Sequence, residues 1–158
     1  MSTTNYDGRT LDLCILGGLS YAAGTREEVH STLDLAIGGQ VCAGVVKLMQ
    51  KVLVLMLTYS HRYDPDWGTS LPEVISEGSL SRVASRLEQR LPEIMEDVTA
   101  TLRAQEFIDT PLDERIDSIT REGDISVNYD ELSVSVQLRV ITLNGSSTTI
   151  IVPLKTKL

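Results

Sequence analysis

Aromatic side chains make up only 4% of the 158 residues, so the interior has to be assembled from Leu, Val, Ile and Ala rather than from stacked rings. Cysteine is just as scarce. Cys14 and Cys42 both sit in apolar sequence and are too few for a disulfide framework, which predicts buried free thiols and folding in a reducing cytoplasm. Basic residues are outnumbered, 14 Lys+Arg against 22 Asp+Glu, for a net charge of −8 and a pI near 4.7. This balance argues against a sequence-independent grip on nucleic acid and against docking to an anionic membrane, both of which need clustered cations. It suits a soluble protein that meets basic partners. No apolar run is long enough to cross a bilayer: Val41–Leu57 falls short of the roughly 20 residues required, and Lys47, Gln50 and Lys51 interrupt it. The opening Met1–Asp7 has no basic region followed by an apolar one, which predicts no secretory leader. Asn144-Gly145-Ser146 fits a glycosylation pattern, and without secretion it marks a turn.

Catalytic and metal-binding patterns are equally thin. His30 and His61 stand alone, with no Cys/His cluster for zinc, no nucleophile-elbow serine and no phosphate-cradling glycine loop. Asp64 and Asp66 flank Pro65, but a calcium loop needs further oxygen ligands at alternate positions, and Trp67 and Gly68 stand there instead. Glu93, Glu96, Asp97 and Glu106 offer a formal acid pair for glycoside hydrolysis, yet they fall on or near the polar side of an amphipathic helix. The expectation is therefore no metal, no cofactor and no enzymatic activity. Arg82, Arg86 and Arg90 step by four residues, either as a solvated flank paired with nearby Glu or as a docking ridge for an acidic partner.

The hydrophobic pattern predicts an α+β protein: N-terminal helices packed on a C-terminal three-stranded antiparallel meander, preceded by an extension over residues 1–40. Within that extension, 1–10 read as a polar tail, Leu11–Leu16 as a short strand, and Thr25–Glu28 as a helix start with Thr25 as cap. Residues 41–158 form the core domain. Val45, Leu48, Met49, Val52, Leu55 and Met56 recur at helical spacing, with Val54 and Leu57 widening the arc toward a central helix. Ser70-Leu-Pro-Glu73 restarts the chain as a short helix, with Ser70 as cap and Pro72 in the first turn, and Gly78-Ser79 begins the next. From Ser79 to Phe107, Leu80, Val83, Leu87, Leu91, Ile94, Met95, Val98 and Leu102 form one apolar arc. It passes through Pro92, where either a kink or two collinear helices are expected. After Pro111 the period falls to two, giving strands near 115–129, 132–142 and 147–153, turns at Asp130-Glu131 and Asn144-Gly145, and a bulge at Gly123.

The last strand, Ser147–Val152, carries no lysine or proline before Pro153, so its edge is built to accept another strand. Either a partner adds there, or the N-terminal run Leu11–Leu16 covers it.

Between the two helical segments lies Arg62, Pro65, Asp66, Trp67, Gly68, Thr69 and Leu71. This motif, followed by a long helix and a meander, resembles the small wedge protein family of contractile phage-tail baseplates, which includes a type VI secretion baseplate subunit. The resemblance covers about Val41 to Leu154. In that family the aromatic of the motif packs inward, and a Glu-Pro-Arg signature before the first meander strand contacts the larger wedge subunits. Here that place reads Asp113-Glu114-Arg115, without the proline, so Asp113 or Glu114 takes the acid's role and Arg115 the anchor's. The resemblance implies a structural virion subunit, assembled in the host bacterial cytoplasm. It would link the wedge core subunits to the first ring of tail sheath protein, near central hub or tube proteins. The sheath would add strands along Thr148, Thr149, Ile150, Ile151 and Val152. The alternatives are a type VI baseplate subunit of the same fold and, less favoured, a tail-associated cell-wall hydrolase.

Overall fold

The computed structural model describes residues 12–13, 16–19, 28–33, 41–58, 67–76 and 78–155. In chain order these are β1 (Asp12–Leu13), β2 (Leu16–Leu19), β3 (Glu28–Leu33), β4 (Val41–Cys42), α1 (Gly44–Leu57), α2 (Leu71–Ser76) and α3 (Leu80–Ala104). A 3-10 turn at Leu112–Glu114 then leads into β5 (Ile116–Arg121), β6 (Ser126–Asn128), β7 (Ser133–Thr142) and β8 (Ser147–Lys155). The protein is α+β, as the pattern predicts. The polar tail, Cys14, the Thr25 cap, His61, Asp64 and the motif residues Arg62, Pro65 and Asp66 lie outside the described residues.

The helical arcs fold as their spacing dictates. On α3, Leu80, Val83, Leu87, Leu91, Ile94, Val98 and Leu102 are buried, with Met95 partly so. The helix runs unbroken through Pro92, which removes the alternative of two helices. Pro92 is exposed, so the carbonyl it leaves without an N–H partner sits toward the solvent side, where water can serve it. Helix α1 buries Leu48, Met49, Val52, Leu53, Leu55 and Met56 against α3 and the sheet, and is central as expected. It starts at Gly44, whose φ of 64° is one that a side chain would disfavour.

The link from α1 to α2 is made by Thr69 rather than by the predicted cap Ser70. The buried Thr69 hydroxyl donates to the Met56 carbonyl (2.7 Å) and accepts from the Leu71 N–H (3.1 Å), while the Thr69 N–H donates to the Thr58 carbonyl (2.9 Å). Ser70 contributes only its backbone carbonyl, which accepts from Glu73 and Val74. Gly68, at φ 106°, makes this close approach possible. Trp67 packs against the core from its margin and is partly buried, less enclosed than the resemblance implies.

The meander forms near the expected boundaries. Its first strand is interrupted where Gly123 takes φ 73°, giving β5 and β6 as two segments on the same side of β7. At the tighter turn, Asn144 Oδ1 accepts from the Ser146 N–H and the Thr142 hydroxyl, and Gly145 takes φ 82°. Antiparallel β7 and β8 pair from Ser133↔Lys155 to Ile141↔Ser147. Val134, Val136, Leu138 and Val140 alternate into the core beneath the helices, while Gln137 and Arg139 hydrogen-bond to Glu122 at the margin.

The far side of β8 departs from expectation. The sheet order is β2-β3-β8-β7-β5, so the edge expected to be open for a partner is lined by β3 of the same chain, in parallel register: Glu28↔Thr149, Val29↔Ile150 and His30↔Ile151. The covering segment is therefore Glu28–Leu33, and not Leu11–Leu16, of which Asp12–Leu13 pairs with β4 in a separate ribbon. Glu28 opens a strand rather than closing the first turn of a helix, because the residues after it pair with a sheet edge instead of presenting a helical apolar face.

Candidate partner-docking site

Between α3 and β5 the chain turns through residues 105–115, the place where the resemblance puts the contact with the wedge core. Helix α3 ends at Gln105, whose N–H reaches back to the Leu102 carbonyl. Residues 107–110 close on themselves: the Phe107 N–H donates to the Thr110 hydroxyl (3.2 Å), and the Thr110 N–H donates to the Phe107 carbonyl (3.0 Å). Arg115 then clamps the turn from outside. Its Nε donates to the Thr110 carbonyl (2.8 Å), and one terminal nitrogen donates to the carbonyls of Phe107 (3.0 Å) and Ile108. The planar guanidinium suits this task, since several donors in one fork can serve carbonyls that converge from a single loop.

Beneath the clamp sits a buried ion pair. Lys47 of α1 and Glu114 are 3.0 Å apart, with side chains only 5% and 3% exposed, and the second Glu114 oxygen accepts from the Gly44 N–H (3.1 Å). Two charges removed from water are tolerated only when paired and hydrogen-bonded, and this arrangement does both while pinning the 3-10 turn to the first turns of α1. On the other flank, Glu106 accepts from the Ile116 N–H (2.8 Å), fixing the start of β5.

What this bracing presents to solvent is apolar. Phe107 is 79% exposed, Ile108 92% and Leu112 54%. Next to them a cleft of about 660 Å³ opens between the loop and α1, with Lys47, Leu48, Lys51, Leu102 and Pro111 among its walls. Scattered exposed apolar residues are ordinary on a protein surface, but here three stand on one internally bonded loop beside a cleft, where burying them would need little further ordering of the backbone.

The predicted site residues separate here. Arg115 lies at the site, with its Nε and one terminal nitrogen bonded to carbonyls of its own loop, so part of its fork braces the surface that the loop presents. Glu114 is inside the protein and committed to Lys47, which corrects the expectation that it faces a partner. Asp113 is half-buried on the same turn. Sequence reading missed Phe107, Ile108 and Leu112. The signal was present: Phe107 and Ile108 follow the last residue of the α3 arc, Leu102, and are apolar where a turn leads into Asp109-Thr110-Pro111.

At the other predicted interface, Thr148, Thr149, Ile150 and Val152 are buried and Ile151 is half-buried, and the outer backbone edge of β8 is paired with β3 at Thr149–Ile151. Arg90 of the basic stripe pairs with Glu93 (2.7 Å) at an exposed position, the solvated-flank arrangement, and Glu88 pairs with Arg121. Among the described residues no group of three or more His, Cys, Asp or Glu is placed to hold a metal, and no helix is long and apolar enough to cross a membrane. No protein-family model matches the chain, and no curated protein matches it.

Proposed function

We propose that this protein is a non-enzymatic structural subunit of a contractile-tail baseplate wedge, which docks on the larger wedge subunits and carries a strand-accepting edge toward the first sheath ring. The observation that carries this reading is the braced loop 107–115. Exposed Phe107, Ile108 and Leu112 stand on a backbone fixed by Arg115 and by the Lys47–Glu114 pair, at the position where the resemblance locates the wedge contact. Aromatic and aliphatic anchors on a pre-ordered loop are what the centre of a protein interface uses, because burying them removes apolar surface without first ordering the chain. The second contact is supported by β8, whose outer edge already seats an extended segment, β3, and is thereby a working strand acceptor.

Co-expression with the products of neighbouring genes tests the proposal. A complex containing wedge and sheath components is expected, and Phe107→Ser with Ile108→Ser should weaken it by about 2 kcal/mol or more while leaving the melting temperature unchanged. Full recovery of the complex with this double variant would remove the loop from the interface. Neighbouring genes that encode no sheath, tube or wedge protein would count against the whole reading.

A further inference from the structure

The two edges of the β5–β8 part of the sheet are closed in different ways. At β5, side chains of α3 and its following turn take up the start of the backbone edge: Glu106 accepts from the Ile116 N–H, and Arg103 donates to the Asp117 carbonyl. These groups sit on α3 and the turn that follows it, which pack against β5 as part of the core domain. At β8 the closure is a strand from the N-terminal extension, and its pairing is weak by construction. It spans only Thr149–Ile151, whereas β7 pairs with β8 from Ser147 to Lys155. It is parallel where β5, β6 and β7 pair antiparallel, and parallel pairing is the less stable kind per residue. Its sequence, Glu-Val-His-Ser-Thr-Leu, holds two aliphatic residues in six. Behind it stands β2, Leu-Gly-Gly-Leu, with a register shift in the middle and two glycines that weaken a strand interior.

We propose that β3 is a self-donated placeholder that closes the β8 edge in the free protein and is displaced by an extended strand of a partner chain pairing over a longer stretch of β8. This rests on β8 being the sheath-facing acceptor. Because β3 is tethered, its effective concentration at the edge is high, so even a short register denies that edge to loose strands and to other copies of the chain. An incoming strand that reaches along Ser147–Leu154 forms more ladder bonds than β3 does and shifts the equilibrium toward the open edge. The device would keep an aggregation-prone edge shut until a partner of sufficient length arrives.

The test uses the full chain and a fluorescein-labelled peptide of residues 26–34, its own β3 sequence, followed by anisotropy. Val29→Pro combined with His30→Pro removes two successive donors from β3, so one of them is lost to β8 whichever way the strand faces. The variant should bind the peptide about tenfold more tightly than the wild type, whose edge is open only a fraction of the time. Equal binding by both proteins would overturn the placeholder while leaving β8 as an acceptor. Binding by neither would overturn both. Hydrogen exchange on the wild-type chain gives an independent reading. Amides of β3 and the β8 amides facing them should exchange together, well ahead of β7, by local opening. Exchange of β3 only together with β7, or a variant that fails to fold, would make β3 an integral strand and end the proposal.

Discussion

Replacing Lys47 with Met is the most direct test of how the loop 107–115 is held. The Lys47 and Glu114 side chains are almost wholly shielded from solvent, 3.0 Å apart, and the remaining Glu114 oxygen accepts from the Gly44 N–H. Lys47→Met keeps the aliphatic stem but removes the ammonium, leaving a carboxylate in the interior with one backbone donor. Breaking a buried pair from one side costs about 3–5 kcal/mol, because the uncompensated charge bears its full desolvation penalty. For a chain of this length each kcal/mol corresponds to roughly 2–4 °C, so the melting temperature should fall by about 6–20 °C. Glu114→Gln alone should also destabilise, since it removes the negative charge that pairs with the Lys47 ammonium. The double variant removes both charges and retains an acceptor for the Gly44 N–H, so it should be more stable than either single variant. The assay is a double-mutant cycle by denaturant or thermal unfolding. A loss below about 1 kcal/mol for Lys47→Met, or strictly additive costs in the double variant, would refute the claim that this pair is a desolvated clamp between α1 and the loop.

Thr69→Val removes the hydroxyl that joins the Met56 carbonyl to the Leu71 N–H, leaving both buried groups unpaired; a loss of about 1–3 kcal/mol is expected in chemical denaturation, and an unchanged midpoint would show that water replaces it. Trp67→Ala should cost about 2–3 kcal/mol, less than the about 3–5 of a fully buried ring, because the indole lies at the core margin; loss of all folded protein would show it to be central. Arg115→Ala should leave the global melting transition within about 1 kcal/mol of wild type while raising hydrogen exchange at residues 107–110 and, under the proposed function, weakening recovery of the wedge complex. Unchanged exchange there would mean that the reciprocal Phe107–Thr110 bonds hold the turn without it.

Periodicity by itself determined most of the core. The buried residues of α3 recur at a spacing that only a helix satisfies, and the alternation of Val134, Val136, Leu138 and Val140 admits only a strand, because each period is a property of backbone geometry and needs no partner to be read. The turn at Asn144-Gly145 and an irregularity at Gly123, expected as a bulge and found as the break between β5 and β6, were legible for a similar local reason. Sequence could not show that Lys47, apparently an interruption in an apolar helix, is buried opposite Glu114, 67 residues away, since that pairing exists only once α1 lies against the 3-10 turn. Nor could it show that Arg115 hydrogen-bonds to its own loop, where Phe107 and Ile108 stand exposed, or that Thr69 rather than Ser70 joins the helices. The fate of the β8 edge is the clearest case. Composition marked Ser147–Val152 as an acceptor of strands, but whether that edge stands open depends on a pairing between residues about 120 positions apart, set by how the extension folds back, and only the tertiary structure placed β3 there.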